Sequence, residues 1–185
     1  GDCDDSDPDI HPNSTQRTDG VDSDCDGRRD WLAQVWISGD DDFEWCLDDE
    51  EDMVPADVHW NQGQYYEVWT TSGAHVFGIR GWDEHYVTTA VIAHIELSDG
   101  TFWVTDADWT FDPEPEADPE SRSGWCTPGF DDSPWQAVNV IGPIGTYPWN
   151  YGPTVFPPGS PAQWIWDYYP VELNTQYVRR QVELP

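Results

Sequence analysis

The stretch TTAVIAHIELSDGTFWVT, residues 88–105, consists of two apolar runs separated by a Ser-Asp-Gly turn. Both runs are short and rich in β-branched and aromatic residues, which is the pattern of two neighbouring β-strands. About nine such runs, spaced about ten residues apart, follow one another from Trp31 onward, with no convincing helical period between them. This spacing predicts an all-β protein built as a β-sandwich. The other runs are WLAQVWIS (31–38), DFEWCL (42–47), YYEVWT (65–70), AHVFGIRG (74–81), WQAVNVI (135–141), AQWIW (162–166) and QYVRRQVEL (176–184).

The chain combines extreme acidity with many aromatic residues. Its 185 residues carry a net charge of −30 at pH 7, yet they include 13 Trp, 8 Tyr and 6 Phe. Acidity alone is typical of disorder, but a disordered chain carries few aromatic rings, so much of this chain is expected to fold. A surface this negative is repelled by nucleic acids and by anionic membranes. No apolar stretch reaches the roughly 20 residues of a membrane span, so neither nucleic acid binding nor membrane insertion is expected.

The first 27 residues, GDCDDSDPDIHPNSTQRTDGVDSDCDG, contain almost no apolar residue and cannot fold by burying surface. Closely spaced aspartates bring several carboxylates to a short length of backbone, and Ca²⁺ accepts roughly six to eight such oxygens in flexible loops. Zinc and copper would require His or thiolate ligands, and His11 is the only histidine here. We therefore expect a calcium-binding module over residues 1–30 and a sandwich over 31–185, the alternative being a solvated acidic tail. The candidate ligands are Asp2, Asp4, Asp5, Asp7, Asp9, Asp19, Asp22, Asp24 and Asp26.

The four cysteines show neither a CxxC pair nor zinc-like spacing, so two disulfides formed in an oxidising compartment are expected. Cys3 and Cys25 occupy matching positions in the two aspartate clusters, and a bridge between them would clamp these clusters together. Cys126 follows an acidic, proline-rich loop (112–124), and a bridge to Cys46 would tie the end of that loop to an early strand. Gly1 does not look like a native start, and no signal peptide precedes it. The sequence is therefore expected to be the mature part of a longer protein that is secreted or held at the cell surface.

The stretch DCDDSDPDIHP…DGVDSDCDG resembles the short metal-binding-motif repeats of bacterial secreted proteins, a family named after a copper-associated surface protein of a methanotroph. It is also similar to the calcium-loaded aspartate repeats of thrombospondin type 3. The resemblance implies calcium, a secreted or surface setting and no catalytic activity. Family members usually carry a Gly-Ala-Glu stretch and a further Cys in the middle, where this chain has NSTQRT. The missing thiol favours a simple Cys3–Cys25 bridge.

The body of the chain has a second resemblance. It is similar, over about residues 31–184, to the galactose-binding-like jelly rolls that serve as accessory domains of rhamnosidases, and this resemblance implies a jelly-roll β-sandwich. The usual Asn-Gly of one turn is replaced by Asp48-Asp49-Glu50, so a ligand that binds that Asn is not implied. The matching stretches, in order, are ISGDDDFEWCLDDE (37–50), AHVFGIRGWD (74–83), TAVIAHIELSDGTFWVTDADW (89–109), GFDDSPWQAVNVIGPIGTYPW (129–149), AQWIWD (162–167) and QYVRRQVEL (176–184).

Three loops between predicted strands mix aromatic with hydrogen-bonding residues, which is the composition of a site that stacks on a pyranose and binds its hydroxyls. We expect the sandwich to bind carbohydrate through these loops. The alternatives are that Trp60 and Trp82 plug their loops and that Trp149 packs in the core, as the resemblance implies for Trp109, Trp135, Trp164 and Trp166. The candidates are Trp60, Asn61 and Gln62, then Trp82, Asp83, Glu84, His85 and Tyr86, and finally Tyr147, Trp149, Asn150 and Tyr151.

The run Asp40-Asp41-Asp42 offers a second candidate calcium site, with Asp40 and Asp41 as ligands, or a merely solvated strand entry. No GxSxG, kinase-type or HExxH element is present, so the chain is expected not to be an enzyme, although it could be an accessory domain of one. The rival function is a calcium-stabilised structural or self-assembling surface subunit that binds a neighbouring protein instead of a glycan. In that case the strand around Arg179 and Arg180 could lie at an edge and pair with another copy, whereas otherwise these arginines face the chain's own carboxylates.

Overall fold

In the computed structural model, the described residues are 3–4, 6–15, 17–49, 54–56, 59–83, 89–114, 123–167 and 175–185. They form β-strands and irregular segments, and none of them lies in a helix. The described part of the chain accordingly has no helix long and apolar enough to cross a membrane. The predicted all-β class is confirmed. The strands are β1 (Asp30–Asp40), β2 (Asp42–Leu47), β3 (Val54–Ala56), β4 (Gln64–Thr71), β5 (Gly73–Trp82), β6 (Ala90–Leu97), β7 (Phe102–Val104), β8 (Thr110–Phe111), β9 (Gln136–Ala137), β10 (Asn139–Pro143), β11 (Gln163–Trp166) and β12 (Thr175–Leu184).

The strands form two antiparallel six-stranded sheets packed as a sandwich, consistent with a jelly roll. Sheet A has the order β10-β11-β6-β1-β4, with β7 also paired to β6. Sheet B has the order β3-β2-β5-β12-β8-β9. Consecutive strands often lie in different sheets, so the chain repeatedly crosses the core.

Alternation along β1 explains how the core forms. Val35 and Ile37 are about 1% exposed and join the core between the sheets, whereas Gln34 and Trp36 point to the outer face and are partly exposed. Strand β6 is buried along nearly its whole length, because its inner residues meet sheet B while the outer residues Ala90 and Ile92 lie under the segment 144–162. A strand covered on both faces reads as a continuous apolar run, as AVIA does.

The tryptophans expected in the core are largely there. Trp109, Trp164 and Trp166 are all 0% exposed. Trp135 is only partly buried and stacks on Trp125 outside sheet B, with ring centroids 6.3 Å apart. Trp149, which was also a candidate ligand residue, is 1% exposed and stacks on Trp164 at 4.6 Å.

The two predicted disulfides, Cys3–Cys25 and Cys46–Cys126, are both present, and no cysteine is free. Paired cysteines are typical of proteins that fold in an oxidising environment. The second bridge lies on the outer face of sheet B, where Trp125 packs over Gly78. A β-carbon at Gly78 would lie 2.6 Å from the Trp125 ring and 2.8 Å from Cys46 Sγ, so only glycine fits beneath this bridge.

The strand that carries Arg179 and Arg180 does not lie at a sheet edge, as the rival function of a self-assembling subunit would require. Strand β12 pairs with β5 along its whole length and with β8 on its other side. Arg180 is paired with Asp106 at 3.0 Å and with Asp108 at 2.9 Å. Arg179 is 1% exposed and lies 3.6 Å from Asp132. The alternative is therefore confirmed, because both guanidinium groups face the chain's own carboxylates.

Candidate metal centre and ligand-binding surfaces

The N-terminal module is organised around one buried serine. Ser23 is 0% exposed, and both its amide and its hydroxyl donate to the equally buried carboxylate of Asp30, at 3.2 and 2.6 Å. Its carbonyl accepts hydrogen bonds from the His11 amide, at 3.0 Å, and from the Ser14 hydroxyl. The Arg17 amide donates to the Ser23 hydroxyl at 3.1 Å. Hydrogen bonds to buried polar groups thus stabilise the module in place of a large apolar core, and they link its first half to the start of β1.

Further contacts attach the module to the sandwich. The Gly20 amide donates to the Asp30 carbonyl at 3.0 Å, and Asp19 forms a β-bridge with Trp31. The Ser98 hydroxyl, at the end of β6, donates to the Thr18 carbonyl. Whether 1–30 and 31–185 behave as separate domains stays a prediction, but these bonds connect them at two places.

The aspartates of the module repeatedly bind their own backbone. The carboxylate of Asp4 accepts the amide of Ser6 at 2.9 Å, and that of Asp7 accepts the amide of Asp9 at 3.0 Å. The Ser6 hydroxyl also donates to the Asp4 carboxylate. The hydrogen bond from the hydroxyl, followed by the one from the amide, lowers the pKa of Asp4. Such turns fold the backbone back after each aspartate, so the Asp-x-Asp spacing sets the path of the chain. Asp2 and Asp5 lie outside the described residues.

Three carboxylates of the second cluster converge. Oxygens of Asp22, Asp24 and Asp26 all lie within 4.8 Å of one another, and Asp22 and Asp24 are partly buried. The loop is closed by its own amides, since the amide of Asp26 donates to Asp22 and Asp24 at 3.1 and 3.2 Å. The Gly27 amide donates to the other oxygen of Asp22 at 3.0 Å. The Cys3–Cys25 bridge passes through the middle of this loop.

The remaining predicted ligands are placed differently. Arg17 lies between the two aspartate clusters and pairs with Asp7 and Asp19, each at 3.1 Å. Asp7 and Asp9 line an open groove together with His11 and Arg17. A guanidinium beside these carboxylates supplies the positive charge that a cation would otherwise supply. The described structure thus brings together three of the predicted ligands, not all of them.

The converging donor set favours a hard cation. Asp22, Asp24 and Asp26 contribute only carboxylate oxygens, both cysteines of the module are in a disulfide, and the Nδ1 of His11 contacts the carbonyl of Pro12 at 3.1 Å. Carboxylates with backbone oxygens are the ligands of Ca²⁺. Copper prefers imidazole or sulfur ligands, and this cluster contains neither.

The second predicted calcium site lies at one end of the sandwich. One carboxylate oxygen of Asp40 accepts the indole N–H of Trp149 at 2.8 Å. Burial raises the pKa of Asp40 to about 6, and the charges of Asp41 and Asp83 act in the same direction. Calcium binding by Asp40 and Asp41 stays a prediction.

The predicted sugar-binding loops do not form one surface of exposed rings. Trp60 is partly buried and packs against the cluster that contains Trp149 and Trp164, while the Trp82 ring is covered by the Arg80 guanidinium at 5.1 Å. Asp83 is 5% exposed. Trp149 is a correction to the prediction, because a ring that is 1% exposed has no face left for a sugar. Tyr147 and Tyr151 are the most exposed of these rings, at 73% and 84%, and Asn150 is exposed as well. The backbone carbonyls of Asn61 and Gln62 accept hydrogen bonds from the amides of residues 154 and 155. Glu84, His85 and Tyr86 lie outside the described residues.

Other exposed rings, which the loop-based reasoning missed, lie on the outer face of sheet A. Tyr65 and Trp69 of β4 are 38% and 50% exposed, and Phe102 of β7 is 49% exposed. The alternation YYEVWT places Tyr65, Glu67 and Trp69 on one side of β4. That signal was present in the sequence, but alternation alone does not tell which side faces solvent.

Comparison with known proteins extends to the N-terminal module only. The family model described as "Putative metal-binding motif" (Cu-binding MopE) matches residues 2–30. No curated protein and no solved structure matches the chain. The family match and the aspartate cluster together identify a metal-binding motif at the N-terminus, with copper suggested only by the name of the family.

Proposed function

We propose that this chain is an extracellular protein whose N-terminal module binds Ca²⁺ and whose sandwich binds carbohydrate without catalysing its conversion. The observation that carries the first part is the convergence of Asp22, Asp24 and Asp26 within 4.8 Å. Three carboxylates this close repel one another, and a divalent cation would turn that repulsion into attraction. The Asx-type bonds of the loop already fix its backbone, so little further ordering is needed on binding.

Calcium is preferred to copper on the chemistry of the donors. Asp22, Asp24 and Asp26 offer oxygen, and the thiols of Cys3 and Cys25 are consumed in their disulfide. Ca²⁺ would complete its coordination there with backbone carbonyls and waters. An ion here would stabilise the segment between Ser23 and Asp30, where the module joins the sandwich.

The calcium proposal is tested by titrating the full chain with CaCl₂ and with CuSO₄ in a calorimeter. Asp24→Asn keeps an oxygen that accepts the Asp26 amide but removes the charge, so we expect it to weaken Ca²⁺ binding by at least about tenfold. Asp99→Asn is the matched control, because Asp99 makes the same kind of turn, to the Thr101 amide at 2.8 Å, far along the chain. Copper binding that depends on Asp24 while Ca²⁺ does not bind would overturn the proposal.

The carbohydrate proposal is supported by exposed rings that alternate with hydrogen-bonding groups on a rigid sandwich. Exposed Trp, Tyr and Phe at half their free surface are costly in water and are typical of surfaces that meet a partner. The extracellular setting is supported by the two disulfides. Binding of the calcium-loaded chain to a glycan array tests this part, and an array without any bound glycan would refute it.

The rival function as a self-assembling subunit lost one of its supports when β12 was found inside sheet B. It predicts large ordered assemblies on addition of calcium. Sedimentation velocity of the chain at millimolar CaCl₂ distinguishes the two functions, because a carbohydrate-binding module is expected to sediment as a monomer.

A further inference from the structure

A row of rings crosses the outer face of sheet A from β4 to β7. Adjacent ring centroids are 5.2 Å apart from Tyr65 to Trp36, 5.4 Å from Trp36 to His94 and 5.4 Å from His94 to Phe102. Trp69 lies further along β4, four residues after Tyr65 and on the same side of the strand. We call these five residues the aromatic strip.

The rest of the fold covers the middle of the strip and leaves its ends open, since His94 is 4% exposed and Trp36 is partly buried. On one side the segment 144–162 packs over the outer face, and Ser160 of this segment contacts His94 Nδ1 at 2.9 Å. On the other side the N-terminal module reaches β6 through the bond between Thr18 and Ser98. Trp69 and Phe102 nevertheless stay half exposed. The two ends of the strip, with Tyr65 and Trp69 on β4 and Phe102 on β7, thus remain open on either side of the buried His94 ring.

Hydrogen bonds hold the polar side chains within the strip in fixed positions. Tyr65 donates to Glu67 at 2.6 Å and accepts the Gln34 side-chain amide at 2.7 Å. Glu96 lies 3.4 Å from His94 Nε2 and opposite Phe102 across the β6–β7 pair. The carboxylates of Glu67 and Glu96 therefore stand among the rings, and no Arg lies on the strand positions that form the strip.

We infer that the aromatic strip is the carbohydrate-binding surface of the sandwich and that its ligand is a neutral polysaccharide. This inference rests on the proposed carbohydrate binding and gives it a location away from the loops. The C–H faces of pyranose rings pack on aromatic faces, and sugar hydroxyls donate to fixed carboxylates. A row of rings suits an extended polymer better than a single sugar.

The negative charge of the strip disfavours an anionic polymer and a second copy of this chain as occupants. An anionic polymer would meet Glu67, Glu96 and a chain of net charge −30, so it would be repelled. A second copy would bring the same carboxylates face to face across a two-fold axis. A neutral ligand rich in hydroxyl donors avoids both penalties.

The test is affinity electrophoresis of the full chain in gels that contain neutral glucan, xylan, mannan or galactan. Trp69→Ala and Phe102→Ala are expected to weaken the retardation of the wild type at least about tenfold, and Trp69→Phe, which keeps a ring, to restore much of it. Tyr147→Ala and Tyr151→Ala test the rival loop site, since they remove candidate rings that are even more exposed, and they are expected to keep the retardation of the wild type. Thermal melts confirm that each variant is folded.

The outcomes separate the two proposals. Retardation that survives Trp69→Ala and Phe102→Ala, or that is lost in the two loop variants, overturns the strip and leaves carbohydrate binding in place. A wild-type chain that binds nothing in the gels and nothing on the glycan array overturns both. Self-association that disappears in Trp69→Ala would reassign the strip to a second copy.

Discussion

Replacing Asp40 with Asn should stabilise this protein at neutral pH. The Asp40 carboxyl has a pKa of about 6 against an ordinary value of 3.8, because burial raises it and the charges of Asp41 and Asp83 add to the effect. The folded state therefore holds this proton more tightly than the unfolded state does. Stability falls as the pH rises from about 4 to about 6, and the loss persists at higher pH. The amide oxygen of Asn can still accept the Trp149 N–H, which now lies 2.8 Å from the carboxylate.

The size of the effect follows from the shift. About two pKa units correspond to about 3 kcal/mol, and partial exposure of Asp40 reduces this through solvent screening to about 1–2 kcal/mol. In a chain of this length each kcal/mol moves the melting temperature by about 2–4 °C. Urea unfolding of Asp40→Asn and wild type in EDTA, at pH 4 and pH 7.5, measures the difference directly.

The controls decide whether the Asp40 carboxylate only destabilises the fold or also binds calcium. The exposed Asp99→Asn should show no such pH-dependent difference. A variant that is equally stable or less stable than the wild type at pH 7.5 in EDTA would refute the reasoning. If Asp40→Asn loses stability only when calcium is present, the second calcium site predicted at Asp40 and Asp41 exists.

Four further predictions concern the stability of the sandwich and of the module. Gly78→Ala should destabilise the sandwich by about 1–3 kcal/mol in chemical unfolding, because its β-carbon would overlap the Trp125 ring; a neutral effect would contradict the packing described. Loss of the Cys46–Cys126 bridge in a double Ser variant should cost up to about 4 kcal/mol, since it closes a loop with a sequence separation of 80, and unchanged unfolding would refute this. Ser23→Ala should open the module to proteases while leaving the sandwich intact, and calcium removal should do the same without collapse of tryptophan fluorescence, because the module contains no Trp.

The sandwich could be predicted because its evidence is local. Alternation in WLAQVWIS places Val35 and Ile37 in the core and Trp36 outside, and this follows from the two-residue period of a strand alone. The disulfides could be predicted for a similar reason, since only four cysteines exist and two of them sit at matching places in the aspartate clusters.

The place of a strand within its sheet is not local information. The alternation in QYVRRQVEL is the same whether β12 is central or at an edge, and only the arrival of β5 and β8 on its two sides decides. The role of Trp149 was predicted wrongly for a related reason. TYPWNYG mixes rings with polar groups, as a binding loop does, but Trp149 is drawn into the core by Trp164 while Tyr147 and Tyr151 remain outside.

Carboxylates repel one another in both the module and the sandwich, and the two parts of the chain offset this repulsion in different ways. Within the described residues, Arg17, Arg80, Arg179 and Arg180 each pair with a carboxylate of this chain, which leaves most of the negative charge without a protein cation nearby. In the sandwich, Arg179 pairs with Asp132, and Arg180 pairs with Asp106 and Asp108, which offsets the repulsion among these carboxylates. In the module, Arg17 pairs with Asp7 and Asp19. The Asp22–Asp24–Asp26 group accepts the backbone amide of Arg28 at 2.8 Å, but among the described residues it forms no ion pair. The part of the chain with the least apolar surface is therefore also the part in which a bound divalent cation would contribute most to folding.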